Sequence, residues 1–487
     1  MCRFFQLDQS GESALNRLTE RQRRLVVSAI NYHSLIQPDR TILYKIYMGE
    51  KWQYPRLTDT STIDGSCTAE DGLVPVNEIS ATSVVNARSA FSPHFIAAGK
   101  QLVDKGVRHI LLTPDDASDD DVQRHRPHGS KKARIYRKME SAAPVTFDYV
   151  RELLRREREF KGTRAIPLFV PAMVSNHDYS HDAVGELTKE IAPGTKMDGA
   201  PKAVIIAMHW LQAGGAERWG METIRLAQEA GFLPIVITDR DSHQPWITQE
   251  ICDKALVLPL TMPLQQRLGD EPLLRALFEQ FDIRAVLIHH CQWMYDRAWW
   301  VKKYSQHTQV VDSLHIVEHV MQGGYPRESV AHDEWIDLHH VISPQLERWM
   351  IDVHHIDPRK VIDAPLVGLT ADETISDFRG RNARDRLAVA FVGRVTRQKR
   401  PEAFILLARR LEKERPGKFR FIMHGDGDMD AYVDDLIGRF GLSQVIERRS
   451  GSRPVADTYA ECDVLVISSI NEGITLTTIE AVSAGVP

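Results

Sequence analysis

Three short stretches of this 487-residue sequence carry side chains whose types and spacing could do chemistry. The first is Gly393-Arg394, with Lys399 five positions on, at the end of the apolar run Ala388–Val392. Arginine offers a bidentate fork to phosphate and lysine a point charge. Glycine lets backbone approach a ligand closely. A helix opened by Pro401 follows, and helix N-termini attract anions. The group reads as a diphosphate site that needs no metal; the other reading of the same residues is a solvated basic loop. The second stretch holds Glu472 and Glu480, eight positions apart, around Gly473, Ile474, Thr475 and Leu476. Carboxylates accept hydrogen bonds from sugar and ribose hydroxyls, and the N–H groups of the loop between them can face a phosphate. The third is Gly214-Gly215-Ala216-Glu217, after the apolar run Ala203–Met208.

These stretches need a frame that presents them together, and the hydrophobic pattern supplies one. Ala203–Met208, Ile235–Thr238, Ala285–Ile288, Gln309–Val311 and His340–Ile342 read as short strands. A helix through Met221, Ile224, Leu226 and Ala227, closed by Gly231, lies between the first two. A second unit begins near Leu387, with strands at Ala388–Val392, Phe419–His424 and Asp463–Ile467 and helices from Pro401 and Thr478. Strands alternating with helices imply parallel sheets with right-handed crossovers. Ligands then sit beyond the carboxyl ends of the strands. The expected fold class is α/β, with two Rossmann-like doubly wound domains at 202–375 and 386–487. The second breaks off just as a helix begins and is expected to be truncated. A Pro- and Gly-rich linker, Ile191–Pro201, separates them from an α/β region, 1–195, of unassigned role. Within that region His109–Leu112 reads as a buried strand and Phe147–Phe160 as an amphipathic helix.

The Gly393-Arg394…Lys399 block followed by Glu472-x7-Glu480 resembles family 4 of the nucleotide-sugar glycosyltransferases, over about 202–487. The resemblance implies the two-domain GT-B fold and transfer of sugar from a nucleotide diphosphate donor with retention of configuration. No metal or other cofactor is implied. It assigns Arg394 and Lys399, with Gly393, to the donor diphosphate and its departure. Glu472 and the loop Gly473, Ile474, Thr475 and Leu476 go to the donor sugar, and Glu480 to the ribose. Gly214 and Gly215 become the loop that approaches donor and acceptor. The family also has a histidine facing the donor sugar, matched best by His315, with His289 and His290 as weaker matches. The chain departs from the pattern in two places. Ile474-Thr475 replaces Phe-Gly, and Asp363–Gly368 lacks the Asn-Gly expected before the second domain.

Composition narrows the setting. A net charge of −5 gives no basic field for nucleic acid. The acidic run Asp115–Asp121 and the basic residues Lys131–Lys138 read as a solvated loop. Five scattered cysteines without a C-x-x-C pair point to a reducing compartment. No stretch approaches the ~20 apolar residues of a membrane span, and Asp8 comes too early for a secretory signal. The expected location is the cytoplasm, with peripheral contact at the inner face of the plasma membrane left open. The expected partners are a nucleotide-sugar and a glycan, lipid-linked or small-molecule acceptor. Bacterial envelope polysaccharide synthesis is a setting implied by the resemblance alone. Rival readings are weaker. There is no G-x-G-x-x-G for a dehydrogenase, and His315 and His319 lack the H-E-x-x-H of a zinc hydrolase. A non-catalytic sugar-nucleotide-binding scaffold would not need all four of Arg394, Lys399, Glu472 and Glu480. An epimerase or phosphorylase on the same fold would use much the same donor chemistry.

Overall fold

The computed structural model describes residues 2–49, 52–54, 74–85, 106–116, 192–212, 214–261, 270–317, 323–366, 386–470 and 472–487, with short pieces between 62 and 168. Most of the Asp115–Lys138 charge runs, part of Phe147–Phe160, and Glu318 and His319 lie outside the described residues.

The strands, in chain order, are β1 Phe5–Leu7, β2 Thr41–Met48, β3 Thr62–Ile63, β4 Cys67–Thr68, β5 Asn77–Ser83, β6 Ile96–Ala97, β7 Lys100–Gln101 and β8 Val107–Leu112 in the first region. The next group is β9 Lys202–Met208, β10 Leu233–Thr238, β11 Leu256–Pro259, β12 Asp282–His289, β13 Gln309–Leu314, β14 Leu338–Val341 and β15 Val361–Asp363. The last is β16 Leu387–Val392, β17 Phe419–His424, β18 Ile446–Arg449 and β19 Val464–Leu465. Among the described residues, β9–β15 form one parallel sheet in the order β11-β10-β9-β12-β13-β14-β15. Strands β16–β19 form a second parallel sheet in the order β18-β17-β16-β19. The α/β class with two doubly wound parallel sheets, expected from the apolar runs, is the observed one. In each sheet the order reverses direction once, between β9 and β12 and between β16 and β19. Such reversals open a crevice at the strands' carboxyl ends.

The sequence reading missed the edge strands, β11 although it lies in the apolar run Ala255–Leu260, and β15 and β18 because they are short and partly polar; β19 is shorter than the run Asp463–Ile467. The helix after β9 runs Gly215–Glu229 and buries Met221, Ile224 and Ala227 while leaving Leu226 exposed. Gly231, at φ +79°, follows it in the left-handed region. The final helix starts at Leu476 rather than Thr478.

The first region is a mixed sheet, β1-β5-β2-β8, with helices Gln9–Asn16 and Glu20–Ile36. The long helix opens with a capping box in which Thr19 and Gln22 satisfy each other's backbone N–H groups. It lies between its own sheet and the edge strand β11, so the two sheets share one hydrophobic core running from Phe5 to Ile336. Polar bonds stitch the same seam. Arg21, buried, donates to the carbonyls of Thr113 (2.5 Å) and His243 (2.8 Å) and pairs with Asp115 (2.7 Å). Trp52 Nε1 donates to the Pro259 carbonyl at 3.3 Å. The second sheet has its own cores, one on each face. Among the described residues no helix is long and apolar enough to cross a membrane.

Candidate functional site

Gly393 and Arg394 leave the carboxyl end of β16, and Glu472 lies in the loop after β19, so the two sequence blocks flank the reversal of the second sheet. The loop from Gly393 to Arg400 is held from three sides. The Gly393 N–H donates to the His424 carbonyl (3.0 Å), and the Ile470 N–H donates to the Gln398 carbonyl (2.8 Å). Ser468 Oγ donates to the carbonyls of Lys399 and Arg400 at 2.8 and 3.0 Å. The tight turn after β17 packs beneath: a Cβ on Gly425 (φ +129°) would stand 2.1 Å from the Gly393 oxygen. Only glycine fits there, on grounds of both conformation and space.

Within this frame Lys399 Nζ and Glu472 Oε1 form an ion pair at 2.6 Å, with side chains 19% and 18% exposed. The cation expected at the diphosphate and the carboxylate expected at the sugar are thus partners. Arg394 is exposed at the mouth, and its charge reaches Glu217 on the other sheet's first helix. Glu480, in the final helix, accepts from Tyr459 Oη (3.1 Å) and from Arg218 Nη1 (3.3 Å). Arg218 belongs to the helix after β9, so this bond crosses from one unit to the other.

The Glu472–Leu476 loop lies directly on the first unit. A Cβ on Gly473 would stand 1.9 Å from the His315 carbonyl oxygen, and Ile474 packs on the cluster of Leu314, Val341 and Ile342. Leu476 comes within 3.6 Å of where a Cβ on Gly215 would be. Gly473, Ile474, Leu476, Gly215 and His315 therefore meet at one seam between the two reversals. Gly214 is the N-cap of helix Gly215–Glu229 with no capping side chain of its own. The carboxylate of Glu217 folds back against it instead; a Cβ on Gly214 would meet Glu217 Oε2 at 1.9 Å. Burial pushes the Glu217 carboxyl above its ordinary value, against the pull of its own N–H, of Arg394 and of Trp210. Sequence reasoning named Glu217 only as part of the glycine loop. The available signal was an acid in a helix's first turn, where the dipole favours it.

His315 follows β13, and Ser313 Oγ lies 3.3 Å from its Nε2 and 2.8 Å from His340 Nδ1. Its ring is edge-on to His290 at 4.9 Å. Burial holds His315 well below the ordinary histidine range, and the neighbouring His290 and His289 push the same way. Burial likewise takes His289 to about 3 and His290 to about 4. Sequence reasoning missed His209, after β9, and Tyr325, which join this group: Tyr325 Oη lies 3.1 Å from His209 Nδ1. The site as a whole offers two cations, two carboxylates and a neutral imidazole around a cleft. That set can hold a diphosphate, accept from sugar hydroxyls and contact a sugar without charging it.

Residues 372–487 match the family model described as Glycosyl transferases group 1. This bears out the family resemblance at the C-terminal blocks. A D-inositol 3-phosphate glycosyltransferase of Stackebrandtia nassauensis is 25% identical over 154 residues, which are 28% of this chain and 34% of that protein. The chain thus matches about a third of that relative's length. Among solved structures, HepE of Anabaena in complex with UDP and glucose is similar at 17% identity and a TM-score of 0.45, covering 59% of this chain and 79% of its own. The pneumococcal O-GlcNAc transferase GtfA, in complex with UDP and GlcNAc, is similar at 16% identity and a TM-score of 0.35, covering 42% and 40%.

Proposed function

We propose that this chain carries the donor-binding core of a glycosyltransferase that moves a sugar from a nucleoside diphosphate to a hydroxyl acceptor with retention of configuration. The observation that carries the reading is the Lys399–Glu472 pair at the carboxyl-end crevice of the second sheet, on a loop whose Gly473 lies against the His315 backbone. In this reading the diphosphate takes Lys399 from Glu472 and draws Arg394 in. Glu472, released, accepts from sugar hydroxyls. Glu480, already holding Tyr459 and Arg218, accepts from the ribose. As the bond from the sugar's anomeric carbon to the diphosphate breaks, negative charge grows on the leaving oxygen. Lys399 and Arg394 then stand ready for it, and such preorganised charge is commonly the largest catalytic contribution. His315, neutral, supports the sugar without repelling positive charge that develops on its ring. The acceptor hydroxyl enters from the first unit and attacks on the face the diphosphate leaves; its oxygen bonds to the anomeric carbon and its proton passes to the departing diphosphate oxygen. Lys399 and Arg394 together meet the diphosphate charge, and the reading assigns no metal to it.

The test is titration of the protein with UDP, GDP and ADP, with and without magnesium, followed by transfer assays. One nucleotide should bind without metal. Arg394→Ala and Lys399→Ala should each lower transfer by about 100-fold or more, the loss typical of removing one charge-stabilising donor, while the melting temperature holds. Wild-type transfer rates in either variant would remove these roles.

A further inference from the structure

Asp312 and Ser313 are successive residues of β13 and so face opposite sides of the sheet. Each meets the residue opposite it on β14. Asp312 takes His339, at 3.0 Å. Ser313 takes His340: its Oγ lies 2.8 Å from His340 Nδ1. The same Oγ lies 3.3 Å from Nε2 of His315, two residues on. On its far side His340 Nε2 lies 2.8 Å from the Ala364 carbonyl oxygen. Ala364 follows β15 and is fixed there, since its own N–H donates to the Val341 carbonyl at 2.9 Å. The Ala364 carbonyl, His340, Ser313 and His315 thus form one line across three neighbouring strands, ending at the seam.

The line has a direction. A carbonyl can only accept, so His340 carries its proton on Nε2. A neutral imidazole has one proton, which leaves Nδ1 a lone pair that accepts from the Ser313 hydroxyl. That hydroxyl has a single hydrogen, now committed, so towards His315 its oxygen can only accept. His315 therefore holds its proton on Nε2. Burial keeps this ring neutral, and its Nδ1 is left as an acceptor. His315 is 8% exposed, at the seam where Gly473 lies against its carbonyl. Packing alone would be served by either tautomer; a line braced on backbone selects one.

We propose that Ser313 and His340 are positioning residues: braced on Ala364, they fix His315 as the Nε2–H tautomer, so that its Nδ1 accepts from a substrate hydroxyl. The proposal rests on the transfer reading above for the identity of that hydroxyl, one on the sugar being moved. Neither residue is asked to touch the donor; each acts through His315. Without them the imidazole could turn a donor towards the sugar as readily as an acceptor.

The experiment uses the full chain with nitrogen-15 histidine, read by NMR. A charged His340 would donate from both nitrogens and reverse the line, so spectra are taken at about pH 8.5, two units above the ordinary histidine value. His315→Asn identifies the His315 resonances by their loss. The wild type should show Nε2 protonated and Nδ1 bare. Ser313→Ala should release the ring to a mixture of the two forms. His340→Phe should go further, since the freed Ser313 hydroxyl then donates to Nε2 and moves the proton to Nδ1. Turnover of UDP-glucose, GDP-mannose and ADP-glucose is followed alongside. Both variants should lower kcat about tenfold, roughly the worth of one hydrogen bond, with UDP affinity unchanged. Protonated Nδ1 in the wild type, or a signature that neither variant moves, overturns the proposal. A kcat that holds while the tautomer shifts overturns it too. If the wild type consumes none of the three nucleotide-sugars, the transfer reading fails and the tautomer signature alone decides the wiring. If neither variant folds, the wild-type resonances decide in the same way.

Discussion

Lys399 and Glu472 neutralise each other at 2.6 Å, so on the proposed reading a donor must separate them, with the following consequences. A bare nucleoside diphosphate gains Lys399 but leaves Glu472 without its cation. A nucleotide-sugar gains both, because its hydroxyls take the carboxylate. Glu472→Gln should therefore bind UDP severalfold more tightly than the wild type while losing transfer, both read by titration and turnover. Equal or weaker UDP binding would show that the pair does not gate the site. Titration also matters at this scale. Burial depresses His209, His289 and His290 to about 2, 3 and 4. The unfolded chain takes up protons below about 6.5 while these rings resist. Their stabilising contribution is present above that pH and is lost as pH falls towards 4 and below. His339 behaves in reverse. Burial would lower it, but Asp312 and Asp333, each 3.0 Å from a ring nitrogen, outweigh burial and raise it to about 9. That contribution is full below about 6.5 and is lost as pH rises through 9. Denaturant midpoints should thus peak between these limits. A His339→Gln variant should lose the alkaline decline and keep the acid one.

Between elements, glycine decides what can touch. Gly425→Ala would drive a methyl group into the Gly393 carbonyl at 2.1 Å and strain φ +129°. A loss of about 2–4 kcal/mol is expected, as for other changes at special backbone positions, read as a lower melting temperature and weaker nucleotide binding. These contacts mark the boundary of what the sequence made legible. The Gly393-Arg394…Lys399 and Glu472…Glu480 blocks were readable because each is local, sitting at the end of one apolar run. The long parallel strands were readable for the same reason: burial on both faces makes them continuously apolar. The edge strands β15 and β18 were not. β18, Ile446–Arg449, ends in charged residues that pair along the sheet edge, with Arg449 bonded to Glu447 and Glu461. Of the strand-end histidines, His315 and His290 were named from the resemblance, but His209 and their packing together were not legible. His209, His290 and His315 come together only through the order β9-β12-β13, which no local spacing records.

For the whole molecule, the shared core matters most. The first region and the seven-stranded sheet bury one continuous set of side chains, whereas the second sheet keeps its own. Calorimetry should therefore show two transitions, a larger one for the first two sheets together and a smaller one for the second. Nucleotide should raise chiefly the smaller, by about 2.7 kcal/mol of stabilisation at a hundredfold excess over Kd. Three independent transitions would contradict the shared core. Removing residues 1–195 should strip cover from β11 and leave a chain that aggregates.

The fit of Gly473 against the His315 carbonyl has a mechanical meaning. With no room for one methyl group between them, this contact is a stop: the two units can come no closer at this point. A distance probe spanning the seam should lengthen, and never shorten, when a ligand enters. Gly473→Ala, wedged at that point, should hold the jaws apart and, on the proposed reading, lower transfer more than nucleotide binding.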